Sequence, residues 1–361
     1  MSSYNPFLGN LLKLAKQKHV LSNLSVGEPF EQVPEPIKKS AIASIIEDKN
    51  KYSPAEGLSE LRKLISRKVN EKNNITVNPE NIIINSGVSV GYDLALLSIL
   101  EIGDEVILLD PYFATLYQTP QILNFQVKLA KTMNDFSLDL DSIEEKINDK
   151  TKAIVINSPG NPTGTIYSKN ELQSLVDLAD KHNLYIISDE IYEDFVYNGD
   201  HFSIGSIYEK TISMFGFSKS YSMTGWRLGY NVAPVEIIQK MVEIQRYLFY
   251  TASTPAQYGA LAFDQVDISD KIKSFNERRK YVLDNLSPKY KITNNPTGAF
   301  YVFPELPKGL SGEEFSLKAL EKGVLVFPGS LFSQKDTNFR ISYSTSLQEL
   351  KKGIEILNSL V

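Results

Sequence analysis

Lys219 lies in Ser-Met-Phe-Gly-Phe-Ser-Lys-Ser-Tyr-Ser-Met-Thr-Gly-Trp-Arg-Leu-Gly-Tyr, residues 213–230. Its neighbours are mostly small, apolar or hydroxylated. No acid in the stretch pairs with it, and the other charge there is Arg227. Partial desolvation and a nearby cation both favour the neutral amine, the form that attacks a carbonyl. Ser218 and Ser220 can donate to an anion, and Arg227 can clamp one with two parallel bonds. The stretch reads as a Schiff-base lysine beside an anion site, as an aldehyde cofactor carrying a phosphate would need. The bland alternative is a solvated loop lysine.

Other residues stand where chemistry is possible. Asp189 ends the run Leu184-Tyr-Ile-Ile-Ser. A carboxylate there is desolvated unless a cation meets it, or it serves as a helix N-cap. Asn161 sits between Pro159-Gly160 and Pro162-Thr163-Gly164, a composition that makes a tight turn in any protein. Arg340, in Phe339-Arg-Ile-Ser-Tyr, is costly to bury without an anion, so it binds a ligand or makes a structural ion pair. Ser86-Gly87-Val88-Ser89 follows a short apolar strand and opens a helix, where backbone N–H groups can hold a phosphate.

The elements that must position these residues alternate. Strands are expected at 81–85, 105–109, 125–129, 153–157, 184–188 and 211–215, with helices at 59–71, 91–100, from 114, 141–147 and 172–182. Short apolar strands separated by helices mean a mostly parallel sheet covered on both faces. Functional residues then lie beyond the carboxyl ends of the strands, where Asn161, Asp189 and Lys219 fall. Amphipathic or Pro-opened helices are expected at 6–19 and 34–46. After residue 235 long helices (236–250, 255–263, 269–285) give way to strands at 290–293, 300–303, 324–327 and 339–342, with helices near 312–322 and 346–360.

Composition narrows the partners. The chain has 361 residues, enough for one large or two moderate domains. A net charge of −5 argues against a nucleic-acid partner. The chain has no cysteine, which excludes disulfides and thiolate metal sites, and its 3 histidines argue against a histidine metal site. No apolar run reaches membrane-spanning length. Lys13, Lys16, Lys18 and His19 break up the N-terminal apolar stretch, so the cytoplasm is the expected compartment.

Residues 213–230 closely resemble the lysine segment of class I and II aminotransferases of the aspartate aminotransferase type, the fold-type I pyridoxal-phosphate enzymes. Three more motifs of that family follow its order: Asn-Ser-Pro-Gly-Asn-Pro-Thr-Gly at 157–164, Ser-Asp-Glu-Ile-Tyr at 188–192 and Phe-Arg-Ile-Ser-Tyr at 339–343. The resemblance runs from about residue 23 to the end. It implies an α/β fold with a mostly parallel seven-stranded sheet in a large domain, residues 45–270. Residues 1–44 and 271–361 would form a smaller α+β domain. It implies pyridoxal 5′-phosphate as cofactor and a homodimer with shared active sites.

The resemblance also implies roles. Lys219 would hold the cofactor as an aldimine and carry the proton during ping-pong transamination from an amino acid to a 2-oxo acid. Asp189 would pair with the pyridinium nitrogen, while Tyr192 and Asn161 reach the phenolic oxygen. Phe113 would stack on the ring. Arg227, Ser218, Val88, Ser89 and the partner's copy of Tyr52 would hold the phosphate. Arg340, Asn161 and Gly27 would bind the substrate carboxylate. A carbon–sulfur β-lyase on the same scaffold and a non-catalytic aminotransferase-like module are the rival readings. The intact lysine and aspartate count against the module.

Two departures from the family pattern matter. Gly216 stands where a serine commonly donates to the phosphate. Aspartate-specific members use an additional cation; here the corresponding places hold Thr251-Ala-Ser-Thr-Pro and Ser89. Phe30, Tyr112, Tyr250 and Tyr301 are expected near the side-chain pocket. Neutral or aromatic donors are therefore expected to outperform aspartate, unless a cation such as Arg246 swings in.

Overall fold

The computed structural model describes residues 6–361. The N-terminal part comprises α1 (Pro6–Gln17), β1 (Ser22–Asn23), α2 (Glu35–Ile46) and α3 (Ser59–Asn73). The alternating region follows as β2 (Ile82–Asn85), α4 (Val88–Ile99), β3 (Glu105–Asp110), α5 (Ala114–Ile122), β4 (Gln126–Lys131), α6 (Leu140–Glu144), β5 (Thr151–Asn157), α7 (Lys169–Lys181), β6 (Tyr185–Asp189), β7 (Thr211–Gly216) and β8 (Gly229–Val232). The remainder is α8 (Val235–Leu248), α9 (Thr254–Ala260), α10 (Ser269–Asn285), β9 (Tyr301–Val302), α11 (Gly312–Glu321), β10 (Val324–Leu325), β11 (Phe327–Pro328), β12 (Phe339–Ser342) and α12 (Leu347–Asn358).

Seven strands form one sheet in the order β2-β8-β7-β6-β5-β3-β4. All neighbours run parallel except β8, which is antiparallel to both β2 and β7. Strand periodicity divides the side chains between the faces. Val106, Leu108, Ala153 and Val155 pack under α4 and α8, whereas Ile107, Leu109, Ile154 and Ile156 pack under α6 and α7. Both faces are covered, which is why these strands read as continuous apolar runs. The capping box of Ser168 with Glu171 starts α7. Register places Asn157 beside Asp189, and Asp189 beside Met214. The carboxyl ends of β5 and β6 therefore stop at one level, β7 runs on past Met214 to Gly216, and the loops after all three leave from the same edge of the sheet.

A second core gathers Phe275 and Val282 of α10 with Phe315, Phe339, Tyr343 and Ile354. It sits on the antiparallel sheet β11-β12-β9. Parallel pairing of β1 with β10 ties the N-terminal segment to this body, and Leu11 of α1 packs on Leu320 and Leu325.

The structure corrects three expectations. The strand β8 was not anticipated, because a four-residue Gly-Tyr-Asn-Val segment carries no apolar run; its buried Asn231 is satisfied by Asn85 and by the Gly91 carbonyl. Residues 290–293 are not a strand: only Lys291 bridges to Glu305, while Tyr290 turns inward and donates to the Leu357 carbonyl. The helix after β2 begins at Val88, not Gly91, since Gly87 already acts as its N-cap. The 44/45 division falls inside α2, whose Ile37 is buried with Leu58 and Ala256. Among the described residues, no helix is long and apolar enough to cross a membrane.

Candidate active site

The cavity at the carboxyl edge of the sheet is lined by Val88, Ser89, Phe113, Asp189, Tyr192, Ser218, Lys219 and Arg227, all anticipated from sequence. Tyr92, Thr115, Leu116, Ile191 and Thr224 complete the wall. Lys219 stands three residues past β7 on a single helical turn, in which the Tyr221 N–H donates to the Phe217 carbonyl at 3.1 Å. Its Nζ donates to the Gly27 carbonyl at 2.7 Å. Burial lowers its pKa to about 8; Arg340 and Arg227 push the same way, and Asp189 and Glu28 oppose them. The direction is the one the sequence implied. Near neutral pH an appreciable fraction of this amine is free of its proton, whereas an ordinary lysine has almost none.

Asp189 is the last residue of β6 and is 3% exposed. Its Oδ1 accepts from the Ile191 N–H at 3.2 Å. Among the described residues it has no ion pair, and burial raises its pKa to about 7. Such a carboxyl is poised for a cation delivered into the cavity, and a protonated ring nitrogen is one.

Opposite Asp189 is an anion cradle. Val88 and Ser89 form the first turn of α4, whose leading N–H groups have no partner within the helix. Arg227, in the left-handed region at φ 53°, donates Nη1 to the Thr224 carbonyl at 2.9 Å and has no carboxylate in ion-pair contact among the described residues. Gly87 was not singled out from sequence. A Cβ there would lie 2.7 Å from Arg227 Nη2, and its φ of +90° also favours glycine. Gly216 is closely surrounded by side chains. A Cβ at that position would meet the side-chain ends Ile191 Cδ1 at 2.8 Å and Val88 Cγ2 at 3.1 Å, so a serine there needs a small shift of these side chains. With a nucleophilic amine, a buried acid, an aromatic wall at Phe113 and an unpaired arginine at a helix N-terminus, the cavity fits an aromatic aldehyde that carries a phosphate.

A second cluster adjoins the first. Arg340, on β12, is 4% exposed; its Nη1 donates to Asn161 Oδ1 at 2.8 Å and its Nη2 donates to the Ser25 carbonyl. The guanidinium lies over the rings of Tyr301 and Phe332, each with its centroid 4.5 Å away. Its Nε has no partner, and among the described residues no acid pairs with it. The structural ion pair weighed as the alternative is absent from the described residues; the acceptors of the guanidinium are the neutral Asn161 and Ser25 oxygens. Asn161 is fixed in turn, its N–H donating to Asn157 Oδ1 at 2.7 Å. Residues 25–28 form a strap over these groups. Ser344 Oγ donates to the Val26 and Glu28 carbonyls, and Thr224 donates to the Glu28 carboxylate. At Gly27 a Cβ would collide with the Tyr301 hydroxyl, so glycine lets the strap approach this closely.

Other anticipated residues are placed differently. The hydroxyls of Tyr192 and Tyr301 bond each other at 2.8 Å, so the Tyr192 hydroxyl already has a partner, and burial holds its pKa well above the ordinary tyrosine range. Tyr52 is 82% exposed and packs at a tilt against Tyr250, ring centroids 4.8 Å apart, outside the cavity of its own chain. Tyr112 is turned away from the pocket: it is buried, stacked on Tyr117 at 4.6 Å, and its hydroxyl accepts from Gln334. Phe30 is exposed beside Arg278, and of the four aromatic pocket residues expected, only Tyr301 sits within the cluster around Arg340.

Comparison with known proteins agrees with this geometry. The family "Aminotransferase class I and II" matches residues 20–357. A probable aspartate aminotransferase of Methanocaldococcus jannaschii is 35% identical, over 94% of this chain and 92% of that protein. A (5-formylfuran-3-yl)methyl phosphate transaminase of the same organism is 40% identical, over 95% of this chain and 92% of that protein. A doubly substituted aspartate aminotransferase of Thermus thermophilus superposes with a TM-score of 0.94 at 33% identity, covering 100% of this chain and 97% of that one.

Proposed function

The chain belongs to the class I and II aminotransferases and is a pyridoxal-phosphate-dependent amino-acid aminotransferase, and on that premise we propose the residues that carry its reaction and the substrates it prefers. Pyridoxal phosphate supplies an aldehyde for the amine and a protonated ring that accepts electrons as the substrate Cα–H bond is broken. Lys219 would hold it covalently, Asp189 its ring nitrogen, and Phe113 its ring face. Arg227, Ser218, Ser89 and the N–H groups at Val88 would hold its phosphate. Lys219, whose side chain lines the same cavity, would also be the base that moves the substrate's proton. Arg340 and Asn161 would orient the α-carboxylate of amino acid and 2-oxo acid alike. The guanidinium of Arg340, buried with no acid in ion-pair contact among the described residues, is the observation that carries this assignment.

The side-chain pocket favours neutral or aromatic substrates. The cations at the cavity are Lys219 and Arg227, with Arg340 next to them, and each already has a task. Arg246 is exposed on α8. The charged group on the strap is the acid Glu28, held by Thr224 of the cavity wall. A second carboxylate on the substrate would meet that acid without a cation of its own, an arrangement costing several kcal/mol, roughly a hundredfold in efficiency. The relative named for a furan aldehyde phosphate supports a pocket that takes a ring; the relatives named for aspartate support the opposite preference. Catalytic efficiencies for aspartate, phenylalanine, methionine and alanine with one acceptor acid decide. Aspartate is expected to be the poorest donor, and a tenfold preference for it overturns the pocket assignment. Release of ammonia and pyruvate without an acceptor acid would instead mark the β-lyase.

We further propose a homodimer. Ile42, Ile45 and Ile46 of α2 and Tyr247, Leu248 and Tyr250 around the end of α8 leave apolar surface exposed, and Tyr250 lies against Tyr52. A second copy covering it would bring Tyr52 to its partner's phosphate cradle. Tyr52→Ala is expected to raise the cofactor's Kd about tenfold, the loss of one bond to a charged group, in equilibrium dialysis. A chain that sediments as a monomer with cofactor bound contradicts this arrangement. The two-domain division proposed is 45–270 against 1–44 with 271–361; the burial of Ile37 with Leu58 and Ala256 supports instead a boundary ahead of α2. The compartment proposed is the cytoplasm, which cell fractionation checks.

A further inference from the structure

Lys271, in the first turn of α10, has no place in the chemistry above. Its Nζ donates to the Lys219 carbonyl at 2.8 Å, to the Ser220 carbonyl at 3.0 Å and to Ser222 Oγ at 2.8 Å. These bonds use all three ammonium hydrogens. All three acceptors are neutral and belong to one segment, and among the described residues no carboxylate is in ion-pair contact with Lys271. Leaving an ammonium so enclosed is costly unless its bonds are complete, and burial lowers its pKa to about 8.

The acceptors are not arbitrary. The Lys219 and Ser220 carbonyls lie at the end of the helical turn closed by Tyr221 N–H on the Phe217 carbonyl. Ser222 follows in the left-handed region at φ 57°. This is a helix C-terminus in miniature: its last carbonyls lack partners, and a cation beside them is favourable. On its other side the turn is anchored by Ser220 Oγ, which donates to Asp194. The lysine turn is thus held by Asp194 beyond β6 and by Lys271 from α10, an element whose core is the second one.

We propose that Lys271 is a positioning residue for Lys219: it caps the turn that bears the nucleophile, fixes the direction in which that side chain leaves the backbone, and keeps a positive charge behind it. The inference rests on Lys219 being the cofactor-binding lysine. The charges facing Lys219 are Asp189, Arg340, Glu28 and Arg227. Those facing Lys271 are Glu31, Asp194, Arg278 and Lys219 itself. Removing the Lys271 charge takes a cation from behind Lys219, so the cofactor-bound nitrogen should keep its proton to higher pH.

The test uses the cofactor-loaded Lys271→Met, Lys271→Arg and Ser222→Ala proteins beside the parent. Visible absorbance is titrated with pH, and kcat, KM and the melting midpoint are measured. For Lys271→Met the titration midpoint is expected to rise by about half a pH unit or more. Its kcat should fall about tenfold through misorientation, with KM for the amino donor within about twofold. Lys271→Arg should restore most of both, and Ser222→Ala should move them less, in the same direction. An unmoved midpoint and kcat in Lys271→Met, or a lowered melting midpoint with an unmoved titration, overturns the proposal. If Lys271→Met does not fold, the same readings on Ser222→Ala decide, and unmoved values there overturn it. Borohydride reduction separates the two levels of inference. An adduct on another lysine overturns the Lys219 assignment and this role with it, whereas an adduct on Lys219 with an unmoved midpoint overturns the role of Lys271 alone.

Discussion

The Lys219→Ala protein is expected to fold and to transfer no amino groups, with turnover down about 10⁴-fold or more. The change removes the nucleophile and the proton carrier together. It removes little that holds the fold: the Lys219 ammonium makes one hydrogen bond, to the Gly27 carbonyl, and its burial opposes its charge. Losing that bond costs about 1 kcal/mol, so the melting midpoint should move by only about 2 °C. The purified parent should be yellow, and borohydride should bleach it by fixing the cofactor to Lys219. A pH dependence follows from the same side chain. Its pKa is lowered from 10.5 to about 8, so the reactive neutral amine accumulates as pH rises toward 8 and is nearly complete above it. Capture of pyridoxal phosphate by the cofactor-free parent should therefore quicken about tenfold per pH unit below that point and level off beyond it. Transamination by the alanine variant within tenfold of the parent, or a capture rate that falls over the rising limb, would falsify the assignment.

Most of this site was legible in the sequence because it is built at strand ends. Asp189, Ser218 and Lys219 each follow an apolar run that can be recognised alone, and parallel pairing then sets those runs side by side with their carboxyl ends at one edge of the sheet. Arg340 and Asn161 were legible as motifs, but their hydrogen bond was not, since it depends on β12 docking against the loop after β5. Two features had no local signal. Gly87 resembles any strand–helix glycine until Arg227 is seen against it. Lys271 sits in Ser-Asp-Lys-Ile-Lys, an ordinary charged helix start, and only the approach of α10 to the 219–222 segment distinguishes it. Tyr112 misled for the opposite reason: it adjoins Phe113, which lines the cavity, but the backbone carries the two neighbouring rings in different directions, Tyr112 toward Tyr117. The unanticipated β8 has the same cause as the extra strand expected at 290–293. In runs this short, burial is decided by tertiary pairing and not by the period of the side chains.

Asp189→Asn should separate a chemical carboxylate from one that merely shapes a turn. The amide is nearly isosteric, and its oxygen can still accept from the Ile191 N–H, so the turn after β6 is kept. What disappears is the negative charge that would hold the cofactor's ring nitrogen protonated, and with it the electron sink. Turnover should fall about 10²- to 10³-fold, the usual effect of deleting one preorganised electrostatic group, while much of the cofactor remains bound through Lys219 and the Arg227 cradle. Stability of the cofactor-free protein gives an independent reading with a definite sign. The folded pKa of Asp189, about 7, lies above its ordinary value of 3.8, so the fold disfavours the ionised carboxyl. That penalty is absent below about pH 4, grows as pH rises, and is complete above about pH 7. Without cofactor, Asp189→Asn should therefore melt higher than the parent at pH 8 and alongside it at pH 4. Near-parental turnover would reduce Asp189 to a turn former. A variant that melts lower than the parent at pH 8 would show that the carboxylate finds a stabilising partner in the empty cavity, contrary to the burial that sets its pKa.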